Sequence, residues 1–525
     1  MTAVARLAAR LVARGGGILL GVAAGISALV VATYATVIAS APGGAASLTA
    51  LAANPAIRTL FGQPVALDDP GGFTVWRTGT VLAVAVTVWA ALATTRVLRG
   101  EEDAGRWDLL LSGRVPVGTV VGVHLAVVVT AVVAVGAGVT VALLATGTAA
   151  GGAVVHGASL ALAGAAAVGT AGVTSQLLPD RGRATGAAVA VLLTGLLARM
   201  VADGVTALEW LRWVSPFGVV ALTRPFEADR VAPLLVLGGA AAVLLGATVV
   251  LAGRRDLRDA PLGHGRPRAP RTRLLGSVPA FALRRLGRPL VGWTVGVGAF
   301  FLLIGLIAES MTDFLAENPV FAELATRAGF AELGSVAGYA ATLFALLAVL
   351  VGGFVAARVG GLAHAESARH LDLLLAAPVT RPQLVGAEVA ATATGAVALT
   401  AAAAVATWAG TAVVGAPLGL GDALAGAANT LPLTALGLGA AVLALGVAPA
   451  HVAAIGLLPA AGGFVLNVVA DSVDAPEWVA GLSPYAHLAA VPVEPPDLVA
   501  AAVMLAIAAA AGAAGTWALG RRDIR

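Results

Sequence analysis

The sequence predicts an all-α, polytopic membrane protein with about 12 transmembrane helices in two parallel six-helix repeats. Its composition gives the first reason. Of its 525 residues, 59% are hydrophobic and 11% are charged, whereas soluble domains carry about 25% charged residues. Because so few polar residues cannot cover a water-soluble core, we expect the bilayer to be the solvent. Helices then satisfy the backbone hydrogen bonds within each segment.

The apolar runs give the second reason. A hydrocarbon core about 30 Å thick needs roughly 20 apolar residues in a helix, and runs of this length recur along the chain. The predicted spans are residues 15–39, 78–95, 117–147, 152–176, 184–202, 231–252, 289–308, 336–357, 383–413, 418–447, 451–470 and 497–519.

The arginine distribution gives the third reason. All 32 basic residues are arginine. If both termini are cytoplasmic, 25 of them fall in segments predicted to lie inside and 7 in segments predicted to lie outside. Cytoplasmic segments are enriched in basic residues, so the count favours this orientation in the plasma membrane and an even number of helices.

Residue types that are missing from the sequence exclude several functions. The chain has no cysteine, which excludes disulfides, thiolate metal sites and cysteine nucleophiles. It also has no lysine, so it cannot form the Walker A loop that binds ATP phosphates. The 7 histidines show no metal-binding spacing. We therefore expect no enzymatic activity, no cofactor or metal, and no nucleic-acid partner.

Two sequence matches indicate an internal repeat. Residues 101–111 match 365–375 at an offset of 264, pairing Glu102 with Glu366. Residues 203–217 match 471–485 at an offset of 268, pairing Ser215 with Ser483. Both matches keep their order, which is typical of a parallel repeat. The predicted organisation is a first half at 1–252, an Arg/Pro-rich cytoplasmic linker at 253–288 and a second half at 289–525.

The loops at 96–117 and 358–382 carry the strongest functional signal. Each has an acidic start, a basic residue, an Asp-Leu-Leu-Leu run and a proline. Acidic residues before basic ones stabilise a short helix, and the leucines offer an apolar face. Such an element suits a mechanical contact with a cytoplasmic partner. Alternatively, the segments are solvated loops that follow the positive-inside rule.

These loops resemble the cytoplasmic loop of ATP-binding-cassette type 2 permeases, in which Glu-Glu precedes Gly-Arg, an acid with three leucines, and proline. More narrowly, the chain resembles the fused twelve-helix branch that includes tetronasin-resistance-type antibiotic exporters. The motifs at 54–62, 72–77, 215–217 and 224–226 are similar to that branch. The resemblance implies an export permease powered by two separate ATP-binding cassette ATPase subunits.

The resemblance also implies which residues couple the permease to the ATPase. In the second copy, Ala365 replaces the first glutamate, Arg369 stands at the glycine position and His370 replaces the arginine. Residues 1–14 would form a helix on the inner membrane surface, or simply a topogenic signal. The implied coupling residues are Glu101, Glu102, Gly105, Arg106 and Asp108 in the first copy and Glu366, Arg369 and Asp372 in the second.

Two ionisable residues fall within predicted spans at equivalent positions of the repeat. His124 and Glu388 lie about two turns into the third helix of each half. A charge at the bilayer centre costs about 2.5–3.5 kcal/mol on insertion scales, so such residues often have a function. They could line a cavity open to the cytoplasm, or they could snorkel toward the inner interface.

Taken together, the residues and the resemblance favour the permease subunit of an ATP-driven exporter. The expected cargo is a hydrophobic or amphipathic small molecule, such as an antibiotic, a drug or a lipid-like compound. An ion-coupled secondary transporter of the twelve-helix type is the alternative, although it would need buried carboxylates for proton coupling. An intramembrane enzyme would need acids or histidines clustered at one membrane face, and the sequence shows no such cluster.

Overall fold

The computed structural model contains only helices as regular elements in the ranges it describes. These ranges are residues 2–34, 58, 61–113, 115–204, 206–257, 259–262, 273–317, 334–367, 371, 374, 376, 378–472 and 476–522.

Within these ranges, 12 helical segments are long and apolar enough to cross a membrane, which confirms the predicted fold class. They include the two closely spaced segments Leu420–Val447 and Pro449–Asn467. In chain order the segments are α1 Ala3–Thr33, α2 Pro70–Asp103, α3 Val117–Ala145, α4 Ala150–Leu177, α5 Arg181–Gly204, α6 Ala232–Gly253, α7 Val278–Phe314, α8 Val336–Ser367, α9 Arg381–Val414, α10 Leu420–Val447, α11 Pro449–Asn467 and α12 Leu498–Arg521.

Short helices occupy several connections between these segments. They are Arg106–Leu110 after α2, Thr206–Trp213 and Pro216–Leu222 between α5 and α6, and Glu477–Ala480 and Pro484–His487 between α11 and α12.

The chain divides into two compact units, Met1–Arg268 and Ala269–Arg525. In the first unit, α1 packs against α3, α2 packs against α4, and α4 also packs against α3 and α6. In the second unit the same order recurs: α7 packs against α9, α8 against α10, and α10 also against α9 and α12.

Small residues allow these helices to approach closely. A Cβ added at Gly136 of α3 would lie 2.3 Å from the carbonyl oxygen of Gly157 in α4. In the second unit, a Cβ at Gly305 of α7 would lie 2.3 Å from the carbonyl oxygen of Thr407 in α9. Without a hydrophobic driving force between helices in lipid, such close backbone packing is a main source of association.

The first and seventh segments begin more than ten residues before the apolar runs that predict them. The first helix runs unbroken from Thr2 to Thr33, so residues 2–14 are its first turns and do not form a separate surface helix. Its 32 residues span roughly 48 Å at 1.5 Å per residue, more than the hydrocarbon core requires. The helix of α7 begins at Val278 and continues through Pro289, so the end of the predicted linker is helical.

Candidate functional site

The α2 helix ends in a charged turn, Glu101–Asp103, and a leucine-rich turn, Arg106–Leu110, follows it. The α2 helix passes through a π-helical turn at Arg96–Gly100 and ends with Glu101–Asp103. Gly105 then adopts a left-handed conformation with φ of 71°, before the short helix Arg106–Leu110. Glycine adopts this conformation at little cost and commonly ends a helix. The left-handed residue therefore fixes the angle between the two turns.

Glu102 is the centre of a buried ion cluster. Its side chain is 2% exposed, and its two carboxylate oxygens accept hydrogen bonds of 2.7 and 2.6 Å from Nη1 and Nη2 of Arg255. Nη1 of Arg99 lies 3.1 Å from Oε2 of Glu102. Two-pronged arginine–carboxylate pairs are among the strongest and most directional hydrogen-bonded contacts. This predicted coupling glutamate is thus paired with arginines of its own chain.

The same arginines join three parts of the first unit. Nη2 of Arg99 donates to the carbonyl of Pro179, at a distance of 2.8 Å, between α4 and α5. Nε of Arg255 donates to Gln176 of α4 at 2.7 Å, and its Nη1 donates to the carbonyl of Asp259 at 2.9 Å. The end of α2, the end of α4 and the segment after α6 are therefore held together.

Glu101 connects the charged turn to the leucine-rich turn. It accepts hydrogen bonds from Nε and Nη2 of Arg106 at 2.5 and 2.6 Å. The Glu101 side chain is 6% exposed, whereas that of Arg106 is 56% exposed. The hydrogen bond that Arg106 donates to Glu101 raises the pKa of Arg106 above its ordinary value, so the guanidinium stays charged at the surface.

The leucine-rich turn has one buried and one exposed face. Trp107 is buried, and its ring centroid lies 5.7 Å from that of His124 in α3. The Nδ1 atom of His124 donates to the carbonyl of Val120 at 2.8 Å, so the predicted cavity-lining histidine supports this turn. Asp108 and Leu109 point outward, and Leu109 is 78% exposed.

The predicted coupling residues of the first loop therefore fall into two groups. Glu101 and Glu102 are buried and hold the loop in place, and Gly105 forms its corner. Arg106 and Asp108 are exposed. Of the predicted coupling residues, a partner could reach Arg106 and Asp108, which lie beside the exposed Leu109.

The second loop is anchored in a comparable way. Glu366, near the end of α8, forms an ion pair with Arg522, just after α12. Arg522 also donates to the carbonyl of Leu445 at 3.2 Å. The other two predicted coupling residues of this loop, Arg369 and Asp372, lie outside the described residues.

The anchoring arginines were missed in the sequence, although a signal for them exists. Residues 253–258 read Gly-Arg-Arg-Asp-Leu-Arg and residues 520–525 read Gly-Arg-Arg-Asp-Ile-Arg. The second arginine of each copy, Arg255 or Arg522, binds the loop glutamate of its own half. The offset of 267 agrees with the other two matches. A search for repeats at the helix ends would have revealed it.

Glu388 binds two arginines of its own unit. Its oxygens accept hydrogen bonds of 2.8 Å from Arg285 of α7 and 2.8 Å from Arg358 of α8, and its side chain is 7% exposed. The carboxylate is therefore buried and paired within the second unit. Two positive charges compensate its one negative charge.

These features define a helical, multi-pass membrane protein whose first loop is anchored by buried ion pairs and whose second loop is anchored by a half-buried one. The family model described as "Multidrug efflux system permease Rv1217c, C-terminal domain" matches residues 7–251 and 275–519, two stretches of equal length. The chain is 30% identical over 513 residues to the multidrug efflux system permease protein Rv1217c of Mycobacterium tuberculosis strain H37Rv. That match covers 95% of this chain and 90% of the mycobacterial protein.

The chain belongs to this family of multidrug efflux permeases. Membership of a permease family assigns it to transport proteins and not to enzymes. The efflux function that the sequence favoured is confirmed at the level of the family. The ATP-binding-cassette assignment and the tetronasin-type branch stay predictions.

Proposed function

We propose that the chain is the membrane-spanning permease of an ATP-driven exporter of hydrophobic or amphipathic compounds. ATP is hydrolysed by two separate ATPase subunits that dock on the loops at 96–117 and 358–382. In this proposal both termini and both loops are cytoplasmic, and the two halves are parallel repeats. Closure of the ATPase pair moves the two loops, and the helices follow.

The anchored first loop is the observation that carries the proposal. A docking element must transmit force, so it must be rigid toward its own helices and exposed toward its partner. The buried pairs of Glu102 with Arg99 and Arg255 supply the rigidity. Arg106 and Leu109 supply an exposed charge beside an exposed apolar side chain. An ordinary solvated loop would need no buried anchor.

Glu388 is the carboxylate on which the ion-coupled alternative would depend. A transporter driven by protons needs a buried carboxylate whose proton affinity changes during the cycle. Glu388 binds both Arg285 and Arg358. These two contacts join α9 to α7 and α8, which suits a structural role.

The test is to replace Leu109 with aspartate in the full chain and co-express it with an ATPase encoded beside it. We expect co-purification of the ATPase to fall about tenfold or more. A leucine that a partner buries contributes about 1–3 kcal/mol to binding. Transport of a fluorescent drug from intact cells should fall in parallel.

Val214→Asp is the matched control, because Val214 is also an exposed apolar residue, at 70%, but lies between α5 and α6. It should leave co-purification unchanged. The proposal fails if Leu109→Asp retains the ATPase, or if drug transport in vesicles runs on a proton gradient without ATP.

A further inference from the structure

The first unit contains a cavity of about 340 Å³ at the end opposite the first loop. Val75, Gly79 and Ala83 of α2 line it, whereas the loop begins at the other end of the same helix. Twenty residues separate Gly79 from Arg99, which is roughly 30 Å along a helix. The cavity is therefore separate from the candidate coupling site.

His156 of α4 lines this cavity without a partner of its own. The side chain is buried, at 1% exposure, and neither ring nitrogen has a hydrogen-bond partner among the described residues. Gly79 makes room for the ring, since an added Cβ would lie 3.4 Å from its Cε1. A buried polar group without a partner costs about 1–3 kcal/mol. A bound ligand would remove this cost.

Positive charge predominates around the cavity. Arg199 and Arg212 share one carboxylate, Asp203, at 2.6 and 2.8 Å. The lining also contains Arg224, which pairs with Glu227 outside the lining, and Arg230. Counted with Glu227, the four lining arginines face three acids, the other two being Asp203 and Glu209, so one positive charge is in excess. This excess favours an anionic group in the cavity.

An aromatic wall gives the cavity an apolar side. Phe61 and Trp76 contact each other with ring centroids 5.5 Å apart, and both line the cavity. Both also line a second cavity of about 410 Å³, together with Ile26 of α1 and Val81 of α2. The charged space therefore adjoins an apolar space between α1 and α2. A molecule with one polar end and an apolar body would match both.

The second half does not repeat this chemistry. At the offset of 268 that relates Ser215 to Ser483, the structural residues are kept. Both serines donate to the carbonyl of a glycine twenty residues earlier, at 2.5 Å and 2.9 Å respectively. The polar lining is lost instead. The second half has no arginine between Arg381 and Arg521, whereas the same part of the first half carries Arg199, Arg212, Arg224 and Arg230.

We propose that the cavity around His156 binds an amphipathic anion, with its carboxylate at His156 and the arginines and its apolar body against Phe61 and Trp76. The inference rests on the proposed export function, because it assigns the cavity to cargo. It adds the charge of the cargo and the half of the molecule that receives it.

The test compares two probes that share one apolar body, 9-anthracenecarboxylate and 9-anthracenemethylammonium. Each is dialysed to equilibrium against the purified full chain in phosphatidylcholine nanodiscs, and protein-free nanodiscs correct for partition into lipid. We expect the carboxylate to bind about tenfold tighter than the cation. His156→Leu, which removes both ring nitrogens, should weaken carboxylate binding about tenfold. His451→Leu, at an exposed histidine, should have no effect.

Equal affinity for the two probes, or an unchanged affinity in His156→Leu, overturns the inference. If His156→Leu does not fold, Ala221→Trp decides, because it fills the cavity from its half-buried lining. The 9-anthracenecarboxylate probe must then bind more weakly to Ala221→Trp than to the unmodified chain. Nanodiscs that contain phosphatidylglycerol identify the source of the anion: competition assigns the site to an anionic lipid, and its absence to a free amphiphile. Co-purification of the ATPase is scored separately, so this inference can fail while the proposed function stands.

Discussion

Glu102 shows how a residue can serve a contact that it does not make. Its carboxylate is buried between two guanidinium groups, and neither its charge nor its hydrogen bonds reach the surface. Taking three charged groups out of water is costly, and only good geometry offsets that cost. The cluster is thus more informative about the position of the loop than about overall stability.

At this scale we predict that Glu102→Ala destabilises the protein strongly. Removing the carboxylate leaves Arg99 and Arg255 buried beside each other, and breaking a buried pair in this way costs about 3–5 kcal/mol. The loss of stability is measured by heating the purified protein to a series of temperatures and using size-exclusion chromatography to quantify the protein that stays folded.

Glu227→Ala is the matched control. It breaks the ion pair between Arg224 and Glu227, whose side chains are 32% and 37% exposed respectively. Such surface pairs contribute about 0–1 kcal/mol. A melting temperature for Glu102→Ala as high as that of Glu227→Ala would contradict the anchoring role.

Among single residues, it was easier to predict that a side chain in a span is polar than to predict which residue it contacts. The sequence shows that Glu388 and His124 are polar residues in apolar spans. It does not show that Arg285 and Arg358 bind the first, or that Trp107 covers the second. Those partners come from other helices or from the loop, and periodicity within one helix carries no information about them.

At the scale of elements, each loop is tied to the end of the sixth helix of its unit. Arg255 follows α6 and Arg522 follows α12, and each binds a glutamate near the end of the second helix. A movement of either loop is therefore passed to two helices at once. This arrangement suits the proposed transmission of force better than a loop held by a single helix.

We predict that the second tie tolerates an exchange of charges. The side chains of Arg522 and Glu366 are 27% and 15% exposed, so both orientations of the pair have access to solvent. Glu366→Arg and Arg522→Glu should each lower the ATPase activity stimulated by drug, and the double variant should recover part of it. Residues in direct contact show coupling energies of about 0.5–3 kcal/mol.

Stimulated ATPase activity of the reconstituted complex measures this coupling. The reversed pair loses the hydrogen bond from Arg522 to Leu445, so full recovery is not expected. Strict additivity of the two single variants would show that the tie does not act as a pair.

The spans themselves were largely predictable, because the backbone of a long apolar run in lipid can satisfy its hydrogen bonds only as a helix. Their ends were less so. The helix of α7 begins at Val278, before the apolar run, because Ser277 caps it by accepting a hydrogen bond from the amide of Ala280 at 3.3 Å. Charged residues such as Arg284 and Arg285 fit the helix there, although no hydropathy argument would place them in it.

At the scale of the whole molecule, the two units share one design. The order of helix packing is the same within each unit, and Ser215 and Ser483 make equivalent hydrogen bonds. The cavity lining has diverged while these structural residues have not. Duplication thus explains the scaffold, and divergence explains the chemistry.

The absence of cysteine allows a direct test of orientation. We predict that Val214→Cys and Trp478→Cys react with a membrane-impermeant maleimide in intact cells. Leu109→Cys and Ala376→Cys should react only after permeabilisation. All four positions are exposed, and the unmodified chain is a control without any thiol.

Labelling of Val214→Cys and Trp478→Cys from opposite sides would show an inverted repeat and end the parallel arrangement. Labelling of Leu109→Cys from outside would place the first loop away from any cytoplasmic ATPase.

The left-handed backbone at Gly105 has a consequence for how such a machine could be retuned. An L-residue there would need about 1–2 kcal/mol to keep the same torsion, or would let the leucine-rich turn point in a new direction. If the loop docks an ATPase as we propose, the docking side chains would be unchanged, yet the force would enter α2 from a different direction. One torsion angle would then set how movement of the ATPase reaches the membrane, with no change in any docking side chain.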